Sequence, residues 1–328
     1  MSIRNDVLAF LEDHRGEFVS GEEIAERLKV SRTAVWKAVR TLKNDGFAIS
    51  AVTNRGYALC ADDEKLSAQS VVRRLAGSAG NCKIETAGII GSTNTELKRR
   101  GDEGEAEGLV LIAEGQTAGR GRIGRSFFSP EKTGLYMSIL LRPKFPAEKA
   151  LFITTAAAAA VARAIETETG LDAKIKWVND IYCRGLKVCG ILTEASMDFE
   201  AGGLAWAVLG IGINVNEPEE GIPEELVGIA GTLCGKEKAG DLKSRLAAAI
   251  LNNFFEYYDT LETKPFIEEY RRRSFLIGET VTFTRGEERY EAEVLDVDDE
   301  ARLVIKYADG RVDALGAGEV SVRKKKTE

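Results

Sequence analysis

The sequence predicts an α+β protein of several domains, and three observations carry that reading. Helical and extended patterns come in blocks: three helices with a hairpin, then alternating strands and helices, then strands alone. At 328 residues the chain exceeds one ordinary core, because domains run to about 150 residues each. With 44% hydrophobic and 30% charged residues, the composition is that of a soluble globular protein. The changes of pattern place the expected boundaries at residues 1–64, 65–274 and 275–328.

In the first block, Val7, Leu8, Phe10 and Leu11 give a helix an apolar face. Ser20 and Glu23 form a capping box opening a second helix, with Ile24, Ala25 and Leu28 inward. Ser31 caps a third, in which Val35, Val39 and Leu42 recur at core spacing until Asn44-Asp45-Gly46 ends it. Phe47–Ile49 and Tyr57–Leu59 flank the turn Thr53–Gly56 as a hairpin. Two helices joined by a tight turn, followed by a hairpin, make a winged helix-turn-helix. Between Arg27 and Lys43 there are six basic residues and no acid, whereas a plain packing module would mix both signs on its wet face. Ser31, Arg32, Thr33, Trp36, Lys37 and Arg40 on the third helix, with Arg55 at the hairpin tip, are therefore the candidate DNA contacts. The net charge of −7 confines any nucleic-acid contact to such a local patch.

Asp62–Lys65 reads as a linker. Strands are then expected at Lys83–Thr86, Leu109–Glu114, Leu135–Leu141, Lys174–Trp177, Cys189–Glu194 and Ala205–Ile213, with helices at Ser70–Leu75, Thr93–Arg100, Ala150–Thr169 and Asp241–Thr260. The apolar run Leu151–Ile165 is alanine-rich, interrupted by polar residues and shorter than the roughly 20 residues a bilayer requires, so it is a packed helix. With no leader-like start and no membrane span, the chain is expected to be cytoplasmic. The five cysteines are scattered with no C-x-x-C pair, which fits reduced thiols. The single histidine, His14, leaves no His-based triad or zinc site. Any chemistry must run on Lys, Arg, carboxylates and backbone amides. After Phe275, Val281/Phe283, Ala292/Val294, Leu303/Ile305 and Val312/Ala314 alternate around Gly-containing turns, predicting a small β-barrel followed by a frayed basic tail, Arg323–Lys326.

The most informative segment is Gly115–Arg125, in which four glycines and three arginines are interleaved. Glycine lets backbone approach a ligand closely, while guanidinium groups converge on its charge, so the segment suits a phosphate or adenylate. It lacks the Gly-Lys-Ser/Thr of a Walker A loop and the glycine spacing of a dinucleotide-binding fingerprint. Gly91-Ser92-Thr93-Asn94 falls at a strand-to-helix junction, where the hydroxyls either cap the helix or bind a small polar ligand. Lys176-Trp177-Val178-Asn179-Asp180 ends a strand in polar residues, as a turn or as a ligand-facing segment. Lys187 stands just before an apolar strand.

S-T-N, G-Q-T-x-G-R-G-R-x-G-R, K-W-x-N-D and K-x-x-G-I-L-x-E, in this order, resemble the biotin–protein ligases. The winged helix and terminal barrel extend the resemblance over nearly the whole chain, to the bifunctional type that is both ligase and biotin-operon repressor. It implies a class II synthetase-like central domain and an SH3-like barrel. It also implies that biotin and ATP form biotinyl-5′-adenylate, whose biotin passes to a lysine of a biotin carboxyl carrier protein. Lys187, Arg120 and Arg122 would be catalytic. Ser92, Thr93, Asn94, Gln116, Gly119, Arg120, Gly121, Arg122, Lys187 and Gly190 would hold biotin. Arg122, Arg125, Lys176, Asn179, Asp180 and Asn214 would hold the nucleotide, with Asp180 on Mg²⁺. Operator DNA and a homodimer formed on adenylate binding complete the expected partners. Two positions depart from the pattern: Val178 stands where the family has proline, and Phe127 where tryptophan is more familiar. The competing readings are a lipoate–protein ligase and a non-catalytic biotin-sensing transcription factor.

Overall fold

The computed structural model describes residues 2–198, 203–285, 287–316 and 323–324. The first unit comprises α1 (Ile3–Asp13), α2 (Gly21–Leu28), α3 (Arg32–Asn44) and the hairpin β1 (Ile49–Val52) and β2 (Gly56–Leu59). Both foreseen caps form: Ser20 Oγ accepts the Glu23 amide at 3.0 Å and Ser31 Oγ that of Ala34 at 3.2 Å. Val7, Leu8, Leu11, Ile24, Val35, Val39, Leu42, Ile49 and Leu59 close a core of their own. The hairpin lies further along than expected. β1 pairs Ile49–Val52 with Leu59–Gly56, because Ser50–Val52 face solvent and offered no apolar alternation to read. Gly56 has φ +98°, and a Cβ there would stand 2.0 Å from the Val19 carbonyl, so the wing packs against residues 19–20 only with glycine.

The linker segment is tied down. The Arg15 guanidinium donates to the Asp63 carbonyl at 2.9 Å, Lys65 pairs with Glu114 at 2.8 Å, and Glu64 accepts the Ala239 amide at 2.6 Å. Beyond it come α4 (Ala68–Val72), β3 (Lys83–Ile90), α5 (Thr93–Asp102), β4 (Leu109–Gln116), β5 (Gly134–Leu141), α6 (Ala150–Thr169), β6 (Lys174–Lys176), β7 (Asp180–Cys183), β8 (Leu186–Asp198), β9 (Gly203–Asn214), α7 (Leu242–Tyr258) and α8 (Ile267–Arg273). The strands form one mixed sheet in the order β3-β4-β5-β9-β8-β7-β6, with β3/β4 parallel and the rest antiparallel. α6 and α7 cover one face; α5 covers the other through Leu97, against Leu140 and Trp206. α6 is long and apolar enough to cross a membrane by composition, yet 72% of that window is buried in the fold. Its alanines are small enough to be packed on nearly every side.

β10 (Thr280–Arg285), β11 (Glu288–Val297), β12 (Leu303–Tyr307), β13 (Val312–Leu315) and β14 (Arg323–Lys324) form an antiparallel sheet in the order β13-β12-β11-β10-β14. Its inward residues Val281, Phe283, Val294, Leu303 and Ile305 belong to the same core as the central domain, unlike the winged helix. The basic tail differs from expectation: Arg323 and Lys324 pair with Thr282 and Val281 as a strand instead of fraying. Residues 325–326 of that tail lie outside the described residues.

Candidate active site

A pocket opens over the β8–β9 strand pair, where three small residues leave a trough. Gly190 pairs with Gly212, and Gly210 lies across from Leu192. A Cβ on Gly212 would stand 2.5 Å from the Phe127 ring, and one on Gly210 2.1 Å from Asn94 Oδ1. Both groups therefore sit where any other residue would place a side chain.

Phe127 is brought there by the glycine-arginine loop, which doubles back on itself. Arg120 bridges Ser126, the Gly121 amide donates to the Arg125 carbonyl at 2.7 Å, and the Phe127 amide donates to the Gly119 carbonyl at 2.9 Å. Ile123 (φ +53°) and Gly124 (φ +69°) make the tip. Gly119 is required for close approach: a Cβ would meet the Phe127 carbonyl at 2.4 Å and Ser129 Oγ at 2.6 Å. The fold turns Arg120, Gly121, Arg122 and Arg125 toward the pocket, while Gly119 supports the loop behind it.

At one end of the pocket the side chains are polar and uncharged. The Thr93 amide and Oγ1 both donate to Gln116 Oε1, at 2.9 and 3.2 Å, and Gln116 Nε2 donates to Ser129 Oγ at 3.1 Å. Ser138 Oγ lies 2.7 Å from Thr93 Oγ1 and 2.6 Å from Asn94 Oδ1. Ser92 does both things its position allowed: Oγ accepts the Thr95 amide at 3.4 Å as the α5 cap, and the residue lines the pocket.

The other end is charged. Lys187 Nζ pairs with Asp180 Oδ1 at 2.6 Å, and Arg122 Nη1 donates to Asn179 Oδ1 at 3.2 Å. Burial pushes the Arg122 guanidinium below its ordinary value, although Asp180 opposes this. Asn179 Nδ2 donates to the Ile191 carbonyl at 2.6 Å, fixing the segment to β8. Lys176 lines the same end, its ammonium 5.9 Å from the Tyr182 ring centre.

The Trp177–Val178 backbone is anchored from behind. Trp177 Nε1 donates to the Ala301 carbonyl in the β11–β12 turn, and Tyr270 Oη on α8 donates to the Val178 carbonyl, each at 3.0 Å. Val178, standing where proline was expected, is 2% exposed and joined to Trp177 by a cis peptide.

One expectation is corrected: Lys187 lies within β8 as its second residue, because Leu186 and Lys187 already pair with Cys183 and Tyr182 of β7, and an isolated bridge to Ala230 adds to this. Asn214 is not among the pocket residues. It ends β9 with Nδ2 donating to the Gly231 carbonyl at 3.1 Å. Sequence reasoning missed Ser138, the one serine in a strand β5 otherwise of apolar and aromatic residues, and the alternating Gly210 and Gly212, whose period of two puts both on one face. Among the described residues no group of three His, Cys, Asp or Glu could hold a metal, and Asp180 is the only carboxylate lining the pocket.

In the first unit, Ser31, Arg32, Thr33, Trp36, Lys37 and Arg40 are all exposed on α3, with the Arg40 guanidinium 5.5 Å from the Trp36 ring centre. Arg55 lies over the Phe18 ring at 4.2 Å.

Comparison with known proteins agrees with this arrangement. Residues 87–214 match the biotin/lipoate A/B protein ligase family, residues 3–58 an HTH domain, and residues 276–323 the biotin protein ligase C-terminal domain. The chain is 33% identical over 317 residues to the bifunctional ligase/repressor BirA of Bacillus subtilis, covering 94% of this chain and 95% of that one. It is 29% identical to the bifunctional ligase/repressor BirA of Escherichia coli, over 94% of each. A biotin protein ligase from Aquifex aeolicus, solved in complex with biotin and ATP, superposes with a TM-score of 0.60 at 28% identity, covering 74% of this chain and 99% of that one. The chain therefore belongs to the BirA-type family of bifunctional biotin–protein ligases and repressors.

Proposed function

We propose that the pocket joins biotin to the AMP moiety of ATP, releasing pyrophosphate, and that the chain then passes biotin to a lysine of a biotin carboxyl carrier protein. The observation that carries this reading is the division of the pocket. The uncharged polar end suits a ureido ring, which needs paired donors and acceptors, and the cationic end suits two reacting anions.

Attack of the biotin carboxylate on the α-phosphate brings like charges together, and the carboxylate needs no general base because it is already ionised. Catalysis is then positioning and charge neutralisation. Ser92, Thr93, Asn94 and Gln116 receive the biotin ring system, with Gly121 and Gly190 leaving room for it. Lys187 sits between carboxylate and α-phosphate, and Arg120 and Arg122 neutralise the developing adenylate. Arg125, Lys176, Asn179 and Asn214 take the nucleotide, with the Asn214 amide oriented by its bond to the Gly231 carbonyl. Asp180 fits one ligand of a Mg²⁺ ion that arrives on the nucleotide phosphates, since Mg²⁺ keeps much of its water shell and takes few protein ligands. Such an ion adds neutralisation of the phosphates. The mixed anhydride hydrolyses readily, so the Gly119–Arg125 loop keeps water out until the acceptor lysine arrives.

The same chain acts as a biotin-dependent transcriptional repressor. α3 presents its exposed basic face to the major groove and Arg55 reaches the backbone beside it. Adenylate-bound protein forms a homodimer on a two-fold operator, and the protein works in the cytoplasm. The domain limits are 1–64, 65–274 and 275–328.

Pyrophosphate release driven by biotin, against lipoate as the alternative acid, tests the reading. Release with biotin and labelling of a carrier domain are expected. Release with lipoate alone would favour a lipoate ligase, and no release from folded protein would favour a non-catalytic sensor.

A further inference from the structure

Glu194 closes the K-x-x-G-I-L-x-E segment and takes no part in the adenylation steps. It does not line the pocket, yet donors from two different elements meet at its carboxylate, which is largely buried at 18% side-chain exposure. Lys98 Nζ lies 2.8 Å away, Asn94 Nδ2 3.0 Å, and Arg120 Nη2 of the glycine-arginine loop 3.5 Å. Asn94 and Lys98 are four residues apart on α5 and so share a face.

A carboxylate only accepts hydrogen bonds. Asn94 must therefore turn its NH₂ toward Glu194, as it also does toward the Leu192 carbonyl at 3.3 Å. That leaves Asn94 Oδ1 over Gly210, 2.6 Å from Ser138 Oγ. Burial pushes the Glu194 carboxyl up, but hydrogen bonds from Lys98 and Asn94 and the nearby Arg120 charge outweigh it, so the group stays ionised below the usual range. Lys98 holds the tighter ion pair, while Arg120 is 49% exposed at the longer distance. The loop arginine is the partner that can leave and return without stranding the buried charge.

We propose that Glu194 is a positioning residue of the adenylation site, setting the direction of the Asn94 amide and docking Arg120 of the loop against the sheet. The proposal rests on the ligase reading and adds a coupling to it. One carboxylate holds the biotin end in register and latches the segment that shields the adenylate.

The test uses full-length protein with Glu194→Gln and, as its control, Lys98→Met, which removes only the Lys98 ion pair and leaves Asn94 and Arg120 on the carboxylate. For each, the loss rate of preformed biotinyl adenylate, KM for biotin, KM for ATP and Tm are measured. Glu194→Gln is expected to speed adenylate loss about tenfold and to raise KM for biotin about threefold, with KM for ATP unchanged, as befits loss of one charge-assisted contact at each partner. Lys98→Met is expected to lower Tm comparably while leaving adenylate retention and KM for biotin near wild type. Wild-type retention in Glu194→Gln, or equal losses in both variants that track Tm alone, would overturn the proposal. Should Glu194→Gln not fold, Glu194→Asp draws the charge back from Arg120 and should speed adenylate loss in the same direction; an unchanged rate there also overturns it. Failure of the wild-type protein to form adenylate would instead overturn the ligase reading on which the proposal stands.

Discussion

Truncating Lys187 is the sharpest perturbation of the charged end. Its ammonium lies 2.6 Å from Asp180 and shares the pocket with Arg122, Asn179 and Lys176. Lys187→Ala removes the positive charge and also leaves the Asp180 carboxylate, at 20% side-chain exposure, facing the incoming anions without that counter-ion. One pair of unit charges about 4 Å apart at an effective dielectric near 20 interacts by about 4 kcal/mol. Counting one such pair as lost from the transition state, and about 1.4 kcal/mol per tenfold in rate, adenylate formation should slow about 1,000-fold. Biotin affinity should fall much less, because the ring is held by the polar cluster around Thr93, Gln116 and Ser138, which this change does not touch. Single-turnover adenylate formation gives the first quantity and calorimetric titration with biotin the second. A variant that adenylates within tenfold of wild type would remove Lys187 from the role assigned to it. One that loses biotin binding and adenylation together would show that the two ends are not separable.

Other expectations follow from the same geometry. Gly212→Ala puts a methyl 2.5 Å from the Phe127 ring and should displace it, weakening biotinyl-adenylate binding at least about tenfold by steric misplacement of the site; unchanged binding of the adenylate in a titration would mean the trough has room to spare. Tyr270→Phe leaves the buried Val178 carbonyl without its donor, costing about 1–2 kcal/mol of stability and raising KM for ATP more than KM for biotin; equal changes in both would mean the anchor is not specific to the charged end. Arg40→Ala on α3 should weaken operator binding and reduce the salt slope by about one unit, with adenylation unaffected. The folded Glu194 carboxyl lies below its ordinary value, so its ion pairs add stability above about pH 4.3 that is lost as pH falls through the folded value; the Tm gap between wild type and Glu194→Gln should narrow on acidification, and a gap that widened would reverse the sign.

Much of the fold was legible because local chemistry and tertiary position agree. Ser20 and Ser31 cap the helices they were expected to cap, and α6 spans Ala150–Thr169 as read. Where the reading failed, the missing information was remote or hidden. β1 carries exposed Ser50–Val52, so no apolar alternation marked it. α8 reads as a charged run, and only Tyr270 and Arg273 of it are buried, Arg273 through ion pairs with Glu166 and Glu269. β8 begins before the apolar run because Leu186 and Lys187 pair with Cys183 and Tyr182 of β7 in a hairpin that their polar flanks did not mark. In the site, motif residues 92–94, 116 and 120–125 were legible as a set. Asn214 ends β9 outside the lining of that pocket, its amide donating to the Gly231 carbonyl. Ser138 escaped notice, and Glu194, though part of the K-x-x-G-I-L-x-E motif, was given no role, because each sits in a strand that burial alone explains and only the tertiary approach of α5 gives their polar atoms a purpose.

Catalysis turns on the glycine-arginine loop closing over an adenylate whose reacting oxygens meet Lys187. The most direct measurement is a crystal structure of this chain with a non-hydrolysable biotinyl-adenylate analogue. The ureido ring should lie among Thr93, Asn94 and Gln116, with the linking phosphate within hydrogen-bonding distance of Lys187 and of Arg120 or Arg122. An analogue bound with its phosphate away from all three cations, or with its ring at the charged end, would contradict the account.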